Sequence, residues 1–190
     1  MPLVNLKPVL REAKAKGYAV AAFNPVDYAS MKAMVKAAEE LNAPVIIQSS
    51  AKTIKYYGHR ALIEWMREIA DDSPVPVVLH LDHGKDLEMI KKCVEMGWTS
   101  VMIDWSHKPF DVNLAETRKV VDMATKAGIG VEAEIGEIHG VEDDMVVEAV
   151  HYPIRPKRRS FVASSISPHS RPRSARRTAT TRASRKLNST

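Results

Sequence analysis

One cysteine, Cys93, stands in 190 residues, so the chain has no second thiol with which to close an internal disulfide. That excludes a small disulfide-stapled fold and fits a reducing cytoplasm. Long apolar runs are missing too. None approaches the roughly 18–20 residues needed to cross a bilayer, so no membrane partner is expected. The opening "MPLVNLKPVLREAKAKG" has no continuous apolar core of the secretory type and reads as an amphipathic helix. No strand-like run leads into a glycine-rich phosphate loop, which argues against a dinucleotide-binding fold. Residues 153–190 contain no Asp or Glu at all against eleven Lys or Arg, and the last of the eight glycines is Gly140.

These absences divide the chain. Residues 1–152 carry seventeen basic and twenty-three acidic side chains, a net of −6, so the overall +5 is a property of the tail. We expect one domain over 1–152, long enough to bury a sizeable core, followed by an Arg/Ser-rich segment from 153 to 190 too poor in hydrophobic residues to fold. Within the first part, short runs rich in Val, Ile and Ala recur at 18–24, 44–50, 74–82, 99–106 and 130–136. They suit strands buried on both faces of a parallel sheet. Helical patterns fill the intervals at 29–42, 59–71, 86–96 and 113–127, with stop signals at Gly17, Asn42, Gly97 and Gly128. Five β units alternating with helices predict a βα series, hence either a doubly wound sheet or a (β/α) barrel.

Polarity appears where each apolar run ends: Asn24, Ser49 and Ser50, Asp82 and His83, Asp104 and Ser106, Glu134. In a barrel the C-terminal strand ends form one rim, so these groups would converge. Several have plainer explanations. Asn24 before Pro25 equally suits the start of a turn, Asp86 suits a helix cap, and His80 suits a hydrogen-bonded structural histidine inside a strand. His59, His107 and His151 read as surface residues; Tyr56, Tyr57, Trp65, Trp98 and Trp105 read as packing residues. Glu132 and Glu134 alternate onto one strand face. Two carboxylates in an apolar run are costly unless paired or bound to a cation.

The segments "FN" (23–24), "PVIIQSS" (44–50), "HLDHG" (80–84), "GWTSVMIDWS" (97–106), "PFDVNLAETRKVV" (109–121) and "VEAEIGEIHGVEDD" (131–144) closely resemble the class II, zinc-dependent fructose-bisphosphate aldolases and their ketose-bisphosphate aldolase relatives. The resemblance implies a (β/α)8 TIM barrel, of which residues 1–152 supply about the first five βα units. It implies Zn2+ as cofactor and reversible cleavage of a ketose bisphosphate, a sugar-phosphate substrate, to dihydroxyacetone phosphate and an aldehyde phosphate. By motif, His83 corresponds to a zinc ligand, and Asp104 and Glu134 to acidic positions that hold an alternate or second metal. Asp82 corresponds to the acid/base that exchanges a proton with the C4 oxygen, and Glu142 to the residue that moves a proton on the carbanion carbon. Asn24 matches a substrate-orienting amide and Ser50 a serine near a phosphate. Relatives commonly form homo-oligomers. The Schiff-base route of other aldolases needs a buried lysine, and none of the five strand-like runs contains one.

The sequence also departs from the pattern. His139-Gly140 stands where a glycine pair is usual, and "AKTIKYYG" (51–58) replaces a small, glycine-containing segment. After Tyr152 the resemblance stops, and with it two further zinc histidines. In a shifted reading frame, the codons from Pro153 can spell "DPPKEAEF" and those from His169 "LAPAIGTAHGYYTGEPK", which restores the family's continuation. We therefore expect a frameshifted tail, and little catalysis by a chain that carries it. The rival expectations are a noncatalytic protein binding nucleic acid through the basic tail, with salt-sensitive affinity, and a different metal-dependent barrel lyase.

Overall fold

The computed structural model describes residues 3–136, 140–142, 145–147 and 161, and of 140–142 and 145–147 the backbone alone. The charge boundary at 152, and the tail apart from Phe161, lie outside the described residues. Helix α1 (Leu6–Lys16) begins at Asn5, whose side chain accepts from the Lys7 N–H at 2.8 Å, and stops at Gly17 with φ 74°. Strand β1 (Ala21–Phe23) leads to α2 (Tyr28–Glu40), started by an Asp27–Ser30 capping box. Then follow β2 (Val45–Ser50), α3 (Ala51–Tyr57), α4 (His59–Asp71), β3 (Val77–Gly84), α5 (Leu87–Met96), β4 (Ser100–Ile103), α6 (Phe110–Lys126) and β5 (Gly130–Ala133). A short antiparallel pair, β6 (Gly140–Glu142) and β7 (Met145–Val147), comes after them. Among the described residues no helix is long and apolar enough to cross a membrane.

The five main strands are parallel and lie in the order β1-β2-β3-β4-β5. A doubly wound sheet reverses direction at a switch point. This one advances without reversal, as the wall of a (β/α) barrel does.

Alternation along the strands divides their side chains between two faces. Odd positions Val45, Ile47, Val77, Leu79, Leu81, Val101 and Ile103 pack with Met31, Val35, Ile63, Met66 and Ile90 of the helices into the main core. Even positions near the strand starts, Ile46 and Val78, form a second cluster with Leu6 and Val9 of α1, which covers that end of the opposite face. Two and four residues further on, the same face carries Gln48, His80 and Asp82. The even face thus has an apolar floor and a polar rim.

Three readings change. Helix α3 was not anticipated; Ser50 caps it by accepting from Thr53 N–H at 3.4 Å. His59 is buried, not on the surface, because it opens the amphipathic α4 on its inner side, with its ring edge-on to Trp98 and Nδ1 3.5 Å from Cys93 Sγ. Tyr56 is 80% exposed, although Tyr57 packs on Trp65 and donates to Val26 O at 2.8 Å. Asp86 caps α5, as expected, by accepting from Glu88 N–H at 3.0 Å.

Candidate active site

The end of β3 is built to turn a histidine off the line of its strand. The β3–β4 register slips between Leu81 and Gly84, and His83 takes φ 46°, a left-handed conformation that a residue with a Cβ adopts at a cost. Gly84 lies so close to β4 that a Cβ there would sit 2.4 Å from the Met102 carbonyl oxygen. Asp104 N–H then donates to Gly84 O at 2.9 Å, which sets the first residue after β4 beside the bulge.

His83 Nδ1 and Asp104 Oδ2 are 2.9 Å apart, and Asp104 Oδ1 accepts from Ser106 N–H at 3.2 Å and Ser106 Oγ at 2.6 Å. Burial favours the neutral acid at Asp104, but the bonds from His83 and Ser106 outweigh it and hold the carboxyl well below the ordinary carboxylate range. Glu134 follows β5, and Asn113 of α6 fixes it by donating to its carbonyl oxygen at 2.7 Å. Ligand atoms of His83, Asp104 and Glu134 all lie within 4.8 Å of one another. One imidazole nitrogen and carboxylate oxygens form a donor set that suits zinc and similar divalent cations, so the residues present fit the metal implied by the sequence.

On the other side of His83 lies a carboxylate held by amides. Asn24 Nδ2 donates to Asp82 Oδ2 at 2.7 Å; Gln48 Nε2 donates to the same oxygen at 3.0 Å and to Asn24 Oδ1 at 2.9 Å. Asp82 Oδ1 lies 3.8 Å from His83 Nε2. Ser50, level with Asp82 across the β2–β3 pairing, stands at the same rim. Asn24, Ser50, Asp82, His83, Asp104 and Glu134 are therefore gathered from the ends of all five strands. Glu142 lies in β6 opposite Met145; its side chain is outside the description.

Sequence reasoning missed Gln48, whose amide ties Asn24 to Asp82. The signal was present: it is a lone amide between Ile46 and Ser50 on the rim-facing side of β2. Asn113, 1% exposed, gave no such signal, because its partner lies 21 residues away and only the fold brings them together. His80 is the structural histidine expected, with Nδ1 2.8 Å from Ser100 Oγ. Burial above all, with His83 adding to it and Asp82 opposing, pushes His80 down to about 4. Its 3.5 Å contact with Glu132 is accordingly polar rather than ionic at neutral pH.

Comparison with known proteins follows the same lines. Residues 4–165 match the family model for fructose-bisphosphate aldolase class-II. A fructose-bisphosphate aldolase of Staphylococcus aureus is 41% identical over 155 residues, which are 80% of this chain and 54% of that one. A probable fructose-bisphosphate aldolase of Bacillus subtilis is 43% identical over 155 residues, with the same coverage. The crystal structure of a putative fructose-1,6-biphosphate aldolase from Coccidioides immitis superposes with TM-score 0.77 at 30% identity, covering 85% of this chain and 58% of that one. The chain spans about half the length of the curated relatives it matches.

Proposed function

The chain belongs to the class II fructose-bisphosphate aldolase family, and from that premise we propose that its rim is the proton-transfer and metal-holding part of a centre for reversible cleavage of a ketose bisphosphate. The products are dihydroxyacetone phosphate and an aldehyde phosphate. The observation that carries the reading is the convergence of Asp82 and the His83, Asp104 and Glu134 group at the ends of β3, β4 and β5.

In this reading the group of His83, Asp104 and Glu134 would form the site for a divalent cation, zinc, with His83 and Glu134 as the donors and Asp104 against the His83 ring. A bound cation supplies positive charge next to the substrate carbonyl and lowers the cost of a carbanion beside it. The remaining work falls to the chain's own groups. Asp82 has one oxygen saturated by Asn24 and Gln48, which leaves Oδ1 to take the C4 hydroxyl proton as the C3–C4 bond breaks, and to return it in condensation. Asn24 spends one amide hydrogen on Asp82 and offers the other to substrate. Ser50 at the β2 end serves a phosphate, and Glu142 delivers a proton to the carbanion carbon. A single, buried cysteine that can form no internal disulfide suits work in the reducing cytoplasm.

Resequencing the gene from about codon 145 to its stop, then assaying the frame-restored protein with zinc against a panel of ketose bisphosphates, tests the proposal. We expect triose phosphate release, lowered about 10²–10⁴-fold by Asp82→Asn. The chain in its present frame is expected to turn over little. Failure to cleave any ketose bisphosphate would overturn the reading; cleavage of an unrelated substrate would favour another metal-dependent lyase.

A further inference from the structure

We propose that Asp104, itself held by Ser106, is a positioning residue that fixes the tautomer of His83, so that the hydrogen sits on Nδ1 and the Nε2 lone pair faces the rim. The inference rests on the cation reading above and adds to it a division of labour between two of the three residues.

Hydrogen-bond accounting places the ring's proton. Asp104 Oδ1 receives two donated hydrogens, from Ser106 N–H and Ser106 Oγ–H, so the carboxyl is an acceptor on that side. Its other oxygen meets His83 Nδ1 at 2.9 Å, and the group is only 2% exposed, so water cannot substitute for either partner. An acceptor facing Nδ1 requires the hydrogen to be on Nδ1. In the neutral ring Nε2 then carries the lone pair, the form an imidazole needs to bind a metal ion; Asp82 Oδ1, at 3.8 Å, is beyond hydrogen-bond distance of it.

The backbone reinforces the choice. His83 is held in the left-handed region at the bulge, and Asp104 N–H is bonded to Gly84 O at 2.9 Å, so ring and carboxylate are registered through the main chain as well. Trp105 Nε1 donates to Lys85 O at 3.2 Å and joins the two loops one residue further on. Asp104 has both oxygens engaged within the protein; its effect on a cation is exercised through the ring it holds.

Nitrogen-15 labelling of histidine in the full chain, metal-free and at a pH where the ring is neutral, reads the tautomer from the two ring nitrogens, with His83→Gln assigning the signal. We expect the Nδ1–H form in the wild type. Asp104→Ala is expected to move His83 towards the Nε2–H form and to weaken binding of Co2+, used as the zinc probe, by about 10–100-fold. Ser106→Ala should shift both readouts the same way by less. An Nε2–H ring in the wild-type chain overturns the inference, and that measurement needs no variant to fold. So does an Asp104→Ala chain that loses Co2+ with its tautomer unchanged, since Asp104 would then be a plain ligand. A wild-type chain showing the Nδ1–H ring but binding no Co2+ would remove the cation reading and leave the tautomer assignment standing.

Discussion

Gly84 shows how narrowly a single residue sets the rim. A methyl group there would meet the Met102 carbonyl at 2.4 Å and the Ile90 and Leu81 side chains at 2.9 Å. The carbonyl belongs to β4 and has no room to retreat. Gly84→Ala is expected to cost about 3 kcal/mol, the upper part of the range for overpacking, seen as a lower urea midpoint; an unchanged midpoint would show that the bulge yields. His80 makes a prediction in pH. Its folded value of about 4 lies below the ordinary 6.5, so on acidification the unfolded chain takes up a proton that the native chain refuses. Stability from this group is therefore present above pH 6.5 and lost as pH falls towards 4. Its share should make the protein about 2 kcal/mol less stable at pH 5 than at pH 7, and His80→Gln should flatten that part of the curve in paired urea titrations.

At the scale of elements, helix ends were legible where a local rule fixes them. Gly17 and Gly97 sit in left-handed conformations at helix stops, and Asp86 caps α5. Asp86→Ala should cost about 1 kcal/mol, with hydrogen exchange fastest in the first turn of α5; uniform exchange along the helix would mean that packing, not the cap, holds it. Strand ends were legible as polarity, which is why Asn24, Asp82, His83, Asp104 and Glu134 were found. What the sequence withheld was pairing between elements. The expected strand at 130–136 ends at Ala133, which leaves Glu134 outside the ladder and in the hands of Asn113. Helix α3 went unread because seven residues starting "AKTIKYY" show no clear period, and its cap, Ser50, had been assigned to a phosphate alone. His59 lacked a partner in the sequence because Cys93 lies 34 residues away.

Across the whole molecule, the least expected contact involves Phe161. It is 4% exposed, its ring centroid lies 6.0 Å from that of Phe110, and it helps line a groove of about 460 Å³ with Leu6, Leu10, Val121, Ile129 and Ala133. The charge break at 152 places Phe161 in the basic segment, whereas the family match runs on to residue 165. Phe161→Ala is expected to lower stability by about 3 kcal/mol, as for a buried ring, and to raise the binding of an anilinonaphthalene dye to the groove. No change in either would confine the folded unit to the residues before the break.

The Asn5 side chain donates to the Gly128 carbonyl across 123 positions of chain, and Leu6 stands against Gly130. Translation at roughly 5–20 residues per second separates the making of those two ends by about 6–25 s. The helix synthesised first can settle on Ile46 and Val78 once β3 is made, but its last contacts, at Gly128 and Gly130, must wait until β5 leaves the ribosome. That interval is when a nascent-chain chaperone has its longest opportunity to act on this protein.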